Sequence, residues 1–257
     1  MIAPSPLYDF FKRGEVARDV RLLAAQGGFA PRAHEQLSIL VLLLDDPDAE
    51  IRETADATLN RLPVEALEMF LARSDVSVNL REFFADRGVF PAETPAIDGE
   101  TPLIDVAEAE DEDLLAEDED PMSISQRLQK MTFPQKLKAA SKGTREMRSI
   151  LVRDPNKMIA ATVMSSPKLT EQEVESIAGM GSVSEDVLRM IAHNRSWMKS
   201  YKIMVRLVRN PKFPVALSMN LLQRVNNKDL ALIAIDRNVP EPVRIAARKK
   251  TVENRTT

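Results

Sequence analysis

Apolar residues along this chain return every three or four positions, interrupted at short intervals by polar residues, glycine or proline. That period gathers them on one face of a helix. Val16, Val20, Leu23 and Ala24 form one such face, closed by Gly27-Gly28, because glycine readily leaves helical geometry. The pattern predicts helices over 7–12, 15–26, 32–44, 49–62, 64–72 and 76–86. Asp45-Asp46-Pro47, Pro63, Ser74-Asp75 and Gly88 separate or close them. Pro63 suits the first position of the helix it opens, where its missing N–H is not needed. Two further short helices are predicted over 124–131 and 134–140, before Gly143. The alternation expected of a half-buried strand is nearly absent.

The stretch 194–211 predicts a single helix that is apolar almost all round. Trp197, Tyr201, Met204, Val205 and Val208 fall on one side, and Met198, Ile203 and Leu207 widen it. Only a cationic stripe, Lys199, Lys202, Arg206 and Arg209, breaks the pattern. Such a helix needs neighbours on both flanks, so Trp197 is expected to be mostly buried. Asn210-Pro211 ends it, since proline disfavours helical geometry in the residue before it.

A longer period lies over these local ones. Asp154, Ser182, Asn210 and Asn238 stand 28 residues apart. Five residues after each come Ile159, Val187, Val215 and Val243, and nine after come Val163, Ile191, Met219 and Ala247. A second set keeps the same phase: Leu169, Trp197 and Val225, then Ile177, Val205 and Ile233. Asp46 with Ile51 and Ala55, and Asp75 with Leu80 and Phe84, repeat a similar pattern 29 residues apart. The polar residue that opens each copy suits a turn or a helix cap. A unit of this length with two helical patterns cannot bury its apolar face alone, so stacking is expected. The expected architecture is therefore all-α: an α-solenoid of short helix pairs in two segments joined by an acidic disordered linker. Its expected parts are 1–88, the linker 89–122, and a basic helical domain 123–257. An irregular helical bundle is the competing arrangement.

Two turns carry a likeness to known repeats. Leu44-Asp45-Asp46-Pro47 with Ala49-Glu50-Ile51-Arg52, and Val152-Arg153-Asp154-Pro155, resemble the helix-starting turns of HEAT-type repeats. The unit is shorter than a HEAT unit and is similar to the compact helical repeats of the leucine-rich-repeat-variant group. The likeness covers roughly 31–87 and 144–252. It implies a binding role, as in scaffolds and adaptors. No catalytic residue of the few HEAT-like DNA glycosylases has a match here.

Charge sharpens the picture. Residues 1–90 carry 10 basic and 15 acidic side chains, 91–120 carry 13 acidic and no basic ones, and 121–257 carry 25 basic and 11 acidic. Self-repulsion and four prolines predict disorder over 88–121. Leu103-Ile104-Asp105-Val106 and Leu114-Leu115 interrupt that run, so it is either a solvated tether or a docking motif. In the second case, 100–120 would contact the basic half of the same chain. The candidate partner-binding residues are Lys199, Lys202, Arg206, Arg209, Arg244, Arg248 and Lys249, with Lys250 beside them. Lys136, Lys138, Lys142, Arg145 and Arg148 form a third cationic cluster.

Candidate chemistry changes little. With no cysteine, disulfides, thiolate metal sites and cysteine nucleophiles are excluded. His193 ends a predicted helix, where a donor or cation suits the last carbonyls, and no carboxylate lies at a ligand-like spacing from it; His34 is the other histidine. No phosphate-binding, nucleophile-elbow or metalloprotease motif occurs. No catalytic residue, cofactor or metal is expected. No apolar run reaches bilayer length, and no leader pattern opens the chain. The expectation is a non-catalytic scaffold or adaptor of the bacterial cytoplasm that binds, through its α-solenoid surface, a protein partner bearing an acidic segment. Binding of nucleic acid by the basic repeats is the alternative: phosphates need such charge, although interleaved aromatics are missing.

Overall fold

The computed structural model describes residues 6–28, 30, 32–95, 99, 102–104 and 121–256. Among them the chain is all-α, with sixteen α-helices, one short 3-10 helix and no strand. It divides into two compact units, residues 1–151 with 161–168, and residues 152–160 with 169–257. The expected linker 89–122 lies mostly outside the described residues.

The first unit opens with α1 (Pro6–Lys12), α2 (Arg18–Ala25), α3 (Ala33–Leu43), α4 (Ala49–Asn60), α5 (Val64–Leu71) and α6 (Val78–Asp86). The first four pack together, α1 on α3, and α2 on both α3 and α4. The apolar faces read from the sequence become the core: Leu7, Val20, Leu37, Leu40, Ile51 and Ala55 are all fully enclosed. Caps fix where helices begin. Asp48 accepts from the Glu50 amide to open α4, and Ser77 accepts from the Leu80 amide to open α6, satisfying amides that have no intrahelical partner. Between helices, Arg18 bridges from α2 to Asp48 and Glu50, and Arg87 from α6 to Asp56 on α4 at 2.7 Å.

The same unit continues through α7 (Pro121–Lys130), α8 (Phe133–Lys142) and α9 (Arg145–Leu151). The carbonyls at the end of α8 are met from a distance. The Ser166 hydroxyl donates to the Ser141 oxygen at 2.6 Å, Lys168 Nζ to the Lys142 oxygen at 3.0 Å, and Arg148 Nη1 to the Gly143 oxygen at 2.8 Å. Arg148, grouped by sequence with a surface cluster, is thus a buried side chain. A helix C-terminus is negative, which is why a guanidinium can be enclosed there.

The boundary between units passes through α10 (Lys157–Ser165). The second unit then contains α11 (Glu171–Gly179), α12 (Glu185–His193), the 3-10 helix Trp197–Lys199, α13 (Tyr201–Arg209), α14 (Val215–Leu222), α15 (Asn227–Ile235) and α16 (Glu241–Thr256). Helices alternate in packing: α11 lies on α13, α14 on α16, and α15 on α16. Asp154, Ser182, Asn210 and Asn238 all fall in the turns between helices, as their spacing predicts. Of the residues five positions later, Ile159, Val187 and Val243 are buried while Val215 is 36% exposed. In that copy Pro214 delays the helix, and Phe213 takes the inward place at 2% exposure.

The predicted single helix over 194–211 is a correction. The Asn194 side chain accepts from the amides of Ser196 and Trp197 at 2.9 and 3.3 Å, curling the chain into the 3-10 turn. Ser200 is extended, with φ −74° and ψ 114°, so α13 starts only at Tyr201. Trp197 is mostly buried, as expected, while keeping some solvent contact, and Tyr201 is exposed. Local hydrogen bonding of an asparagine side chain won over helix periodicity.

In the first unit His34, on α3, is held below its ordinary pKa by burial, which the Asp75 charge only partly offsets. Asp75 is held below its own by hydrogen bonds from the Arg73 guanidinium, Nε and Nη2 each at 2.9 Å. A histidine with a lowered folded pKa binds fewer protons folded than unfolded, so stability falls as pH drops below about 6.5. The carboxylate adds a loss of the same sign at lower pH. The melting temperature of the chain should fall between pH 7 and pH 5, and His34→Gln should flatten that fall. An unchanged slope in His34→Gln would show that the histidine does not contribute.

Candidate partner-binding surfaces

The cationic residues of α13 sit on a helix whose inner face, Ile203, Met204, Leu207 and Val208, is fully buried. The stripe therefore turns outward, but it is not bare. Arg206 Nε lies 3.7 Å from Glu175 on α11, and Arg209 donates through Nε and Nη2 to Asp236, after α15, at 3.1 and 2.9 Å. Lys199 and Lys202 are exposed, with no ion-pair partner among the described residues. Tyr201 donates its hydroxyl to Asp229 Oδ2 at 2.5 Å; burial, then that carboxylate, raises its pKa.

The other sequence-predicted residues lie on α16. Arg244 is half-buried, and its Nε has no hydrogen-bond partner among the described residues. Arg248 Nε donates to the Ala234 carbonyl at 3.2 Å, and Lys249 Nζ stands 3.9 Å from Glu253. Lys250 Nζ donates to the Leu222 carbonyl at 3.0 Å. Val243 and Ala247 face the core with Leu230, Ile233 and Ala234 of α15. On the opposite side of α16, Ile245 is 56% and Val252 62% exposed, flanked by Arg248 and Lys249. On α15 the outward row is Lys228, Leu232 and Ile235, the last 71% exposed. These aliphatics escaped a reading that looked for charge. Their signal was present in the register, since 245 and 252 stand seven apart and out of phase with 243 and 247.

A second feature lies in the first unit. Gln36 on α3 is 1% exposed, sharing the core register with Ala33 and Leu40. Its amide makes four hydrogen bonds. Nε2 donates to the carbonyls of Gly27 at 3.0 Å and Ile104 at 2.6 Å. Oε1 accepts from the amides of Leu103 at 2.8 Å and Ile104 at 3.1 Å. Two donors and two lone pairs are the full capacity of the group. A flipped amide would set NH2 against two N–H groups, so the network fixes the orientation. Gly27, after α2, has φ +84°, and a Cβ there would stand 3.5 Å from Thr58 Cγ2 and 3.6 Å from Ile104 Cγ2. Gln36, with Gly27 beside it, thus forms a seat on which residues 102–104, a strap, lie, and Thr58 Cγ2 borders the Gly27 position. Closer to α6 in sequence, the Ala92 amide donates to the Glu68 carbonyl at 3.0 Å. The expected contact of 100–120 with the basic half falls mostly outside the described residues; the described part lies on the N-terminal helices.

His193 ends α12 as expected, with Nδ1 2.7 Å from the Arg189 carbonyl oxygen. No described helix is long and apolar enough to cross a membrane. No protein-family model, no curated protein and no solved structure matches this chain.

Proposed function

We propose that this chain is a non-catalytic cytoplasmic adaptor, an α-solenoid of short helix pairs similar to HEAT-like and leucine-rich-repeat-variant repeats. Its solenoid surface binds an acidic segment of a protein partner, one that also carries aliphatic side chains. The repeat reading is supported by side-chain bonds that join positions about one unit apart. Tyr201 reaches Asp229, Arg209 reaches Asp236, Lys250 reaches the Leu222 carbonyl and Asn254 reaches Asn227.

The observation that carries the choice of partner is the outward face of α15 and α16. Ile245 and Val252 lie between Arg248 and Lys249, and Leu232 and Ile235 lie beside Lys228. Exposed aliphatics between cations suit an acidic amphipathic segment, which buries its apolar row while its carboxylates meet the rim. A duplex would engage the cations and leave the aliphatics in water. Arg206 and Arg209, already facing Glu175 and Asp236, offer phosphates less than their number suggests.

The test is fluorescence anisotropy of the full chain with labelled acidic amphipathic peptides and with a labelled DNA duplex. Ile245→Asp and Val252→Asp alter exposed positions, so the melting temperature should hold within experimental error. Peptide affinity should drop about tenfold or more in the double variant, as for central interface residues. Duplex binding that falls steeply with salt and ignores both substitutions would replace this reading with nucleic-acid recognition.

A further inference from the structure

The strap 102–104 meets the first unit in an unusual way: the contact is made chiefly through its main chain. One buried side chain, Gln36, accepts from both N–H groups of Leu103 and Ile104 on its oxygen and donates a hydrogen bond from Nε2 to the Ile104 carbonyl. Leu103 and Ile104 themselves stay half-buried. Two successive amides converging on one acceptor define a bend in the peptide, and Pro102 just before them restricts the chain that enters it. Beneath the bend, Gly27 leaves open the space a Cβ would fill, and Ile104 Cγ2 sits at its edge. The groove therefore reads backbone shape plus one branched aliphatic side chain. It also binds a segment 67–68 residues away in sequence from Gln36.

We propose that the seat formed by Gln36 and Gly27 is a peptide-binding site whose resident ligand is the chain's own Pro102-Leu103-Ile104 bend. A bend of the same chemistry on another molecule exchanges with it. The physical reason is that Gln36 is almost without solvent contact and loses three of its four partners when the strap leaves. In an emptied seat water would take those places, and a peptide that restores the three bonds in the same geometry gains a modest net stabilisation from each. The site belongs to the first unit and does not depend on how the second unit binds its partner.

The recognition of main-chain amides sets the test. In the full chain, Leu103→Pro with Ile104→Pro removes both strap donors while leaving the helices untouched. A labelled peptide of residues 99–106 should then bind this variant more than about tenfold tighter than it binds the intact chain. Adding Gln36→Leu, which keeps the bulk and removes the amide, should abolish that binding. The same peptide carrying both prolines should not bind. Equal, weak binding to intact and strap-altered chains that keep their helicity would overturn the proposal, leaving the strap as ordinary packing. Binding that survives Gln36→Leu would overturn it equally.

Amide hydrogen exchange on the unaltered chain covers the case of a variant that fails to fold. The Leu103 and Ile104 amides should exchange much faster than the amides of α3, and faster still with excess unlabelled peptide. Exchange of these two amides only together with the α3 core would sink the idea of a displaceable ligand.

Discussion

Replacing Phe213 with alanine should destabilise the chain by about 3–5 kcal/mol, whereas replacing Trp197 should cost only about 1–2 kcal/mol. The order is the reverse of what residue size suggests. Phe213 is 2% exposed and sits in the turn between α13 and α14, where its amide also donates to the Asn210 carbonyl at 3.1 Å. Truncating it leaves a cavity that the close-packed neighbours cannot fill, because α14 is anchored by Ser218 and Leu222, both buried. Trp197 lies on the 3-10 turn, where no side chain is fully enclosed, so its truncation opens toward solvent instead of leaving a sealed cavity. Urea unfolding of the two variants measures both values. A Trp197→Ala cost equal to or above that of Phe213→Ala would show that the turn at 194–200 is enclosed in solution.

A second large effect is expected from Asn210→Asp, about 3–5 kcal/mol at neutral pH. Asn210 is buried, and its Nδ2 donates to the carbonyls of Ala178 at 2.9 Å and Met180 at 3.0 Å. Its Oδ1 accepts from the Lys212 amide at 3.0 Å. One residue thus closes its own turn and ties the end of α13 to the end of α11. The substitution exchanges two donors for a charged acceptor facing two carbonyl oxygens. Burial and those dipoles raise the pKa of the introduced carboxyl, so the penalty should shrink as pH falls through that raised value. A denaturation series in pH distinguishes this from a packing defect, whose cost would not change with pH. Asn238 holds the same place in the 28-residue phase but is exposed, and substitution there should be nearly silent. A comparable loss at both positions would mean that the repeat, rather than the buried contact, sets the cost.

The comparison of these two asparagines shows how far the sequence could reach. Its 28-residue phase located the turns at Asp154, Ser182, Asn210 and Asn238, because helix length and punctuation are local properties. It also named most of the inward residues, Val187, Ile191, Val243 and Ala247 among them, since side-chain direction in a helix follows from spacing alone. The all-α class followed from composition and period for the same reason.

What the tertiary structure decided were matters of competition and distance. Whether 194–211 runs as one helix depended on the Asn194 side chain taking the amides of Ser196 and Trp197, a bond that periodicity cannot weigh. The α13 stripe looked free in one dimension. Its arginines met Glu175 and Asp236 only once α11 and α15 lay beside it. Arg148 was indistinguishable from the other cations of its cluster until the C-terminus of α8 offered carbonyls around it. Gln36 is the clearest case. A glutamine among Ala33, Leu37 and Leu40 announces a buried polar group that must find partners. Three of its four bonds are supplied by Leu103 and Ile104, more than sixty residues away, and only the folded chain brings them together.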